Sequence, residues 1–350
     1  MIVLFIEQIF HQFRIDRYLN KSFIYGDIGG TKTILAMAEM KEDGIHQQFT
    51  QRYLSHSYER FTDLLSDFLK QSQTTVRPEA ACFAIAGPIV GQQASLTNLP
   101  WHISEIDISG EFSIPAVKLI NDFEAAALAI EDLTPNDFLK LQAGHMHERG
   151  MRVVLGAGTG MGVAWLAWLK DRYIPLATEA GHMDFAPTNK LQMCLLESLQ
   201  IKLGHVSVER LLSGAGLTHI FNFLQMHQAV PSGLTATHLK EDSGATITTL
   251  AQTHKHPIAI KSLHVFAEIY GAYAGNLALA GLCRGGVYIA GGIAPKIINI
   301  ISSGGFMRAF RDKGRFSTLM NEIPLHVVTN SDISLLGARR IAHQLLQQSD

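Results

Sequence analysis

Apolar and polar positions follow one another along this chain in two rhythms. Phe23-Ile24-Tyr25, Ile34-Leu35-Ala36-Met37-Ala38, Ala81-Cys82-Phe83-Ala84-Ile85-Ala86, Met151-Arg152-Val153-Val154-Leu155 and Val163-Ala164-Trp165-Leu166 are short, nearly continuous apolar runs. Runs of this length bounded by glycine or polar residues predict strands, buried on both faces where nothing polar interrupts them. Phe61, Leu64, Leu65 and Phe68 recur at helical spacing, so an amphipathic helix is predicted over 58–71. Further along, the pattern predicts a strand over 91–97, a long apolar helix over 258–282, strands over 287–290 and 325–328, and a closing helix over 335–347. Residues 231–257 read as polar loops and short helices. Phe10, Phe13, Ile15 and Tyr18 fit a short amphipathic helix inside an N-terminal extension, residues 1–22, to which no role is assigned. Strands alternating with helices predict an α/β protein.

Three punctuations in this pattern carry chemistry. The run Val117, Leu119, Ile120 feeds Asn121-Asp122, and an alanine-rich helical run to Ile130 follows. A buried strand here would deliver a carboxylate to a helix N-terminus, where backbone N–H groups and the helix dipole favour its charge. An aspartate so held can orient a substrate hydroxyl and accept its proton, or it can simply cap the helix. The second punctuation is Gly26-Asp27-Ile28-Gly29-Gly30-Thr31-Lys32-Thr33, between two strands. Its glycines let backbone N–H groups approach an anion, Thr31 and Thr33 add hydroxyls, and Asp27 suits the water shell of Mg²⁺. An ordinary glycine-rich hairpin has the same look, and the P-loop pattern is absent. The third, Gly156-Ala157-Gly158-Thr159-Gly160-Met161-Gly162, repeats the strand–glycine turn–strand arrangement. That recurrence predicts a doubled architecture gripping a polyphosphate from two sides.

Other polar positions have two readings each. Asn98, before Leu99-Pro100, has the composition of a turn former, and its amide is also of the kind that bonds a sugar hydroxyl. Glu179 and His182 sit three apart in a loop, close enough to converge on one ligand. Ser207 is placed to cap a helix with Glu209 in its first turn. Gly291-Gly292 ends a strand before a helix, where a nucleoside can lie against bare backbone.

Composition narrows the function classes. The 350 residues are 47% hydrophobic and 17% charged with net charge −2, which fits a compact α/β protein and gives no electrostatic footprint for nucleic acid or an anionic membrane. The apolar start at Met1 is too short to span a bilayer. Cys82, Cys194 and Cys283 lie far apart without a CxxC pair, which fits reduced thiols in a cytoplasmic protein rather than structural zinc.

Taken in order, the segments GDIGGTKT, AIAGPIVG with LTNLPW, INDFEAAALAI, LGAGTGMGVAWL, EAGHMDFAP, GHVSVERLLSGAGL, GGVYIAGGIAP and NSDISLLGA resemble the bacterial ATP-dependent glucokinase family of the actin/sugar-kinase/Hsp70-like ATPase superfamily. The resemblance runs from about Tyr25 to Ala338. It implies a two-domain actin-like, ribonuclease H-like fold with a cleft that closes on sugar. The small domain would take 23–132 plus about 325–350, and the large domain 133–324. It implies transfer of the ATP γ-phosphoryl group to the 6-hydroxyl of D-glucose, with ATP and Mg²⁺ as cofactors and a homodimer as the assembly. By motif, Asp122 would be the general base. Asn98, Asn121, Glu179, His182 and Glu209 would be the sugar ligands. Asp27, Gly29, Gly30, Thr31, Lys32 and Thr33, with Gly158, Thr159 and Gly160, would form two phosphate loops. Gly291 and Gly292 would form the adenosine turn, and Asp27 would hold Mg²⁺ through water. One departure falls at Ala180, where the family commonly has glycine. The related repressor and kinase group carries a cysteine-rich zinc motif after its Glu-x-x-His segment, and only Cys194 follows here. Kinases for other hexoses, a sugar sensor without turnover and a sugar-independent ATPase are the rival readings.

Overall fold

A computed structural model describes residues 19–74, 76–96, 99–227 and 243–348. The expected helix near the N-terminus and the position of Asn98 lie outside the described residues, as do residues 231–242 of the polar stretch expected at 231–257. The chain divides into two compact units, residues 1–132 with 332–350, and residues 133–331.

The first unit is built on a five-stranded sheet with strand order β3-β2-β1-β4-β8. Its members are β1 (Ser22–Ile28), β2 (Lys32–Lys41), β3 (Gly44–Leu54), β4 (Pro78–Ile85) and β8 (Ala116–Asn121). Strands β1, β4 and β8 run parallel, and β2 and β3 are antiparallel neighbours. Side chains alternate across the sheet as the pleat demands. Ile24, Ile28, Leu35 and Phe83 face helix α1 (Phe61–Ser72), which contributes Phe61, Leu64, Leu65 and Phe68. Phe23, Tyr25, Ile34 and Ala36 face the closing helix (Ile333–Gln348), which contributes Leu335, Ala338, Ala342 and Leu346. The row Ala80, Cys82 and Ala84 on β4 is small enough for that helix to sit close. Each fully buried leucine adds roughly 2 kcal/mol of apolar transfer free energy. A minor sheet of β5 (Ile89–Val90), β6 (Gln93–Ser95) and β7 (His102–Ser104) stands where one strand was expected over 91–97. Helices α2 (Glu105–Phe112) and α3 (Asp122–Ala129) flank β8 in sequence.

The second unit repeats the plan. Its sheet runs β12-β11-β10-β13-β14-β9, with β9 (Phe138–Gln142), β10 (Arg152–Ala157), β11 (Met161–Leu169), β12 (Arg172–Thr178), β13 (Gly286–Ala290) and β14 (Leu325–Val328). Again three strands, β10, β13 and β14, are parallel, and the two following the glycine turn, β11 and β12, are antiparallel. The doubling expected from the two glycine turns is therefore present in the topology. Strand β14, expected with the first domain, pairs with β13 and β9 instead, because Leu325 and Val327 pack into the second unit's core. That core lies between the sheet and helices that include α4 (Lys190–Leu203), α5 (Gly214–His227), α6 (Gly244–Gln252) and the 24-residue α7 (Pro257–Ala280). Gly271 packs against the Phe306 carbonyl, so α7 meets its neighbour α8 (Gly305–Arg311) at backbone distance.

Candidate functional site

The first glycine turn is short because both flanking strands run further than the sequence suggested. Asp27 belongs to β1 and pairs with Ile34, leaving residues 29–31 as the turn. Gly29 N–H donates to the Lys32 carbonyl at 3.0 Å. Beneath it, Ser55 makes three contacts: its N–H donates to the Thr31 carbonyl at 3.0 Å, its hydroxyl donates to the Gly29 carbonyl at 2.7 Å, and its Oγ lies 3.0 Å from Thr33 Oγ1. Thr33 was expected among the phosphate-facing residues, yet it is fully buried on Ser55 and supports the turn from below. Thr31 and Lys32 are exposed.

Asp27 and Arg52 flank Ile34 on the sheet face covered by the closing helix, since directly paired residues share a face. Asp332, just before that helix, holds Arg52 at 3.1 Å. Burial pushes the Asp27 carboxyl up to about 6 and the Asp332 carboxylate adds to the rise, while Lys32 and Arg52 pull the other way. A desolvated carboxylate crowded by a like charge is the kind of group a divalent cation relieves. Among the described residues no group of three or more His, Cys, Asp or Glu side chains could hold a metal. Mg²⁺ needs only one or two carboxylates when it arrives on phosphates, so Asp27 fits it in that form.

Strands β1, β4 and β8 end together, as Ile28 pairs with Ile85 and Ile85 with Asn121. The chain turns there into α3, and the cap is Asn121, not Asp122. Asn121 Oδ1 accepts from the N–H groups of Phe123 at 2.9 Å and Glu124 at 3.3 Å, and its Nδ2 donates to the Gly87 carbonyl at 3.3 Å. An amide explains the choice: it caps the helix and reaches back to the turn after β4 at once. Asn121, expected as a sugar ligand, thus has its oxygen committed to the backbone. Asp122 is the first helical residue, with Oδ1 2.9 Å from the Phe123 N–H. Its neighbour Glu124 is raised above the usual carboxylate range by burial, with backbone N–H donation and Lys118 opposing the rise.

The second glycine turn is held from farther away. Gly158 N–H donates to the Gly160 carbonyl at 2.8 Å, and the Gly158 carbonyl accepts from Gly214 N–H at 3.0 Å. Glu209 Oε2 accepts from the Met161 N–H at 2.9 Å, and a Cβ on Gly160 would lie 2.6 Å from that same oxygen. Gly181 packs on the Met161 carbonyl. The buried Tyr270 hydroxyl fixes the base of the turn, accepting from Ala157 N–H at 3.1 Å. Gly291 follows β13 with φ +80, and a Cβ there would lie 2.7 Å from the Ala157 carbonyl, so only glycine serves. Gly292 and Thr159 are exposed, and the two turns share one edge of the sheet.

Glu179 precedes and His182 ends a single 3₁₀ turn, Ala180–His182, with Oε2 and Nε2 3.9 Å apart and both side chains largely exposed. Tyr273 O–H donates to the Ala180 carbonyl at 2.6 Å and fixes this turn. The segment pairs with the one leading to Glu209: Phe185 N–H donates to Val206 O at 3.0 Å and Val208 N–H to Met183 O at 2.8 Å. Glu209 itself lies in a 3₁₀ turn, Val208–Arg210, rather than in a helix capped by Ser207. The next helix starts at Gly214, where Ser213 Oγ accepts from Gly216 N–H at 3.0 Å. Met161 is therefore the shared support of the Gly158–Gly160 turn, the Glu179–His182 turn and Glu209.

One position and one contact escaped the sequence reading. Ser55 follows the polar strand β3, whose run of Gln, Thr and Arg carries no strand-like alternation in its first half. Glu209 touches the glycine turn 48 positions earlier, a link with no local signal.

Residues 24–345 match the family model described as Glucokinase. A glucokinase from Nostoc sp. is 39% identical over 336 residues, which is 91% of this chain and 98% of that protein. The crystal structure of a glucokinase from an Antarctic psychrotroph superimposes with a TM-score of 0.80 at 31% identity, covering 93% of this chain and 99% of the other. The structure of a ROK family glucokinase from Streptomyces griseus, in complex with glucose and AMPPNP, shares the fold with a TM-score of 0.60 at 20% identity, covering 92% and 99%. The doubled sheet and its two glycine turns are the actin-like ATPase fold, and the chain belongs to the glucokinase family.

Proposed function

We propose that this chain transfers the γ-phosphoryl group of ATP to the 6-hydroxyl of D-glucose, giving glucose 6-phosphate and ADP, with Asp122 as general base. The observation that carries the residue reading is the placement of Asp122 at the head of α3, on the sheet edge that also bears the Asp27 turn. There the Phe123 N–H and the helix N-terminus favour its charged form. Asp122 takes the hydroxyl proton as the sugar oxygen forms its bond to the γ-phosphorus, and the bond from that phosphorus to the bridging oxygen breaks. The N–H groups of Gly30 and Thr31 in one turn and of Thr159 and Gly160 in the other are the candidate phosphate donors, since those of Gly29 and Gly158 are spent inside their turns. Mg²⁺ arriving with ATP supplies charge neutralisation when bound, and Asp27 would hold it through water. Glu179, His182 and Glu209 accept from and donate to sugar hydroxyls, with Asn98 as a further ligand. Asn121 contributes by fixing α3.

Among the described residues no helix is long and apolar enough to cross a membrane. Cys82, Cys194 and Cys283 are free thiols, which supports a reducing compartment, and the cytoplasm is the location proposed. A homodimer is the assembly proposed, to be checked by light scattering of the purified protein.

The test is ADP release with Mg-ATP, with and without glucose and across a panel of hexoses. A glucose-dependent rate lost in Asp122→Asn supports the reading. Sugar-independent hydrolysis points instead to an ATPase, binding without turnover to a sensor, and a faster rate with another hexose to a different acceptor.

A further inference from the structure

We infer that Glu209 is a positioning residue for the phosphate turn as well as a sugar ligand, so that sugar and nucleotide bind cooperatively through this one side chain. The inference rests on the proposed sugar role of Glu209. Its Oε2 is bonded to the Met161 N–H at 2.9 Å, and it occupies the space where Gly160 lacks a side chain. The other carboxylate oxygen is left for a sugar hydroxyl. The same segment grips the turn once more, through Gly214 N–H on the Gly158 carbonyl, and the Ser213 hydroxyl braces the segment itself by donating to the Glu209 carbonyl at 2.8 Å. On the carbonyl side of Met161, Gly181 packs the Glu179–His182 turn against the same residue. A sugar that fixes Glu209 therefore fixes residues 158–161, and a phosphate that orders the turn places Glu209 for sugar. By linkage each ligand tightens the other by the same factor.

Gly160→Ala separates this from a purely local role. The new methyl meets only the end of the flexible Glu209 side chain, so the fold persists while Glu209 is pushed off the turn. Gly158→Ala is the comparison within the same turn: nothing lies within 4 Å of its Cβ, so it alters the turn without touching Glu209. Glucose and AMPPNP dissociation constants are measured by calorimetry, each alone and in the presence of the other. In the unaltered protein each ligand is expected to tighten the other by about fivefold or more. Gly160→Ala is expected to weaken glucose roughly tenfold with no nucleotide present and to bring the mutual tightening close to one. Glu209→Ala is expected to weaken AMPPNP with no sugar present. Glucose affinity unchanged in Gly160→Ala, or weakened equally in Gly158→Ala, overturns the inference, as does unchanged AMPPNP affinity in Glu209→Ala. Glucose affinity unchanged in Glu209→Ala is a different failure, because it removes the sugar role on which the inference stands.

Discussion

The two glycine turns have the same strand–turn–strand form and opposite means of support. The turn after β1 is held by Ser55, a neutral buried side chain from the end of the next strand but one in the same sheet. The turn after β10 is held by the carboxylate of Glu209, delivered by a loop that pairs with the Glu179–His182 segment. A neutral local strut sets its turn once, when the sheet forms. A charged strut borrowed from a candidate sugar loop makes the second turn sensitive to what that loop binds. The two units thus carry similar glycine turns with different supports, and under the proposed roles only the second turn answers to the other substrate.

The largest expected effect belongs to neither turn. Asp122→Asn keeps the size of the side chain and removes the base, so kcat should fall by about 10³-fold with little change in glucose affinity. Steady-state kinetics and glucose calorimetry check this, and an unchanged kcat would sink the base assignment. On the wired side, Glu179→Gln and His182→Ala should each raise the glucose KM on the order of tenfold, by removing a charged or polar partner of a hydroxyl. A change confined to the ATP KM in either variant would contradict a sugar role for that loop.

On the locally supported side, Asp27→Asn should separate stability from function. The folded-state carboxyl is raised to about 6 from its ordinary 3.8, so the folded protein binds more protons than the unfolded chain between about pH 4 and 6. Stability therefore falls as pH rises through that window, and at pH 7 the buried charge costs up to about 3 kcal/mol. Asparagine relieves this, so the variant should melt higher at pH 7, with the gain vanishing near pH 4. Its requirement for Mg²⁺ should rise at the same time. Thermal melts across pH and a Mg²⁺ titration of the rate check both halves. Ser55→Ala comes next, at about 1–3 kcal/mol, because it leaves the Gly29 carbonyl and the Thr33 hydroxyl buried without their partner. Its ATP KM should rise with glucose binding unaltered. A matching loss of glucose affinity would mean that the first turn is wired as well.

This contrast was only half visible in the amino-acid order. Both turns and the strands entering them were legible, because glycine clusters and apolar runs are local signals. The position of Asp122 at the head of a helix was legible for the same reason. Its neighbour's role was not: Asn121 is the cap because the bend into α3 also needs a donor toward Gly87, a fact of strand pairing rather than of spacing. Strand β3 escaped notice since it is an edge strand with an exposed, polar first half, and Arg52 and Ser55 were lost with it. Glu209 was read as a helix-start residue because a serine two positions earlier imitates a cap, whereas the true helix begins after Ser213. What stayed hidden was support across sequence distance, which no window of neighbouring residues contains.

The smallest effect is expected at Ala180, where the chain departs from the family's usual glycine. Alanine is tolerated because its backbone stays out of the left-handed region and its methyl is buried against the second unit's core. The residue that admits no side chain is the next one, Gly181, which lies on the Met161 carbonyl. Ala180→Gly should therefore cost only about 1 kcal/mol, the sum of a lost buried methyl and a freer unfolded chain. It should leave the glucose KM nearly unchanged, since Tyr273 still holds the residue 180 carbonyl. Gly181→Ala should do the reverse, displacing Met161 and with it both the Glu209 contact and the phosphate turn. If Ala180→Gly instead altered glucose and ATP affinity together, the methyl itself would belong to the wiring, and the coupling would run through both sides of Met161 rather than through Glu209 alone.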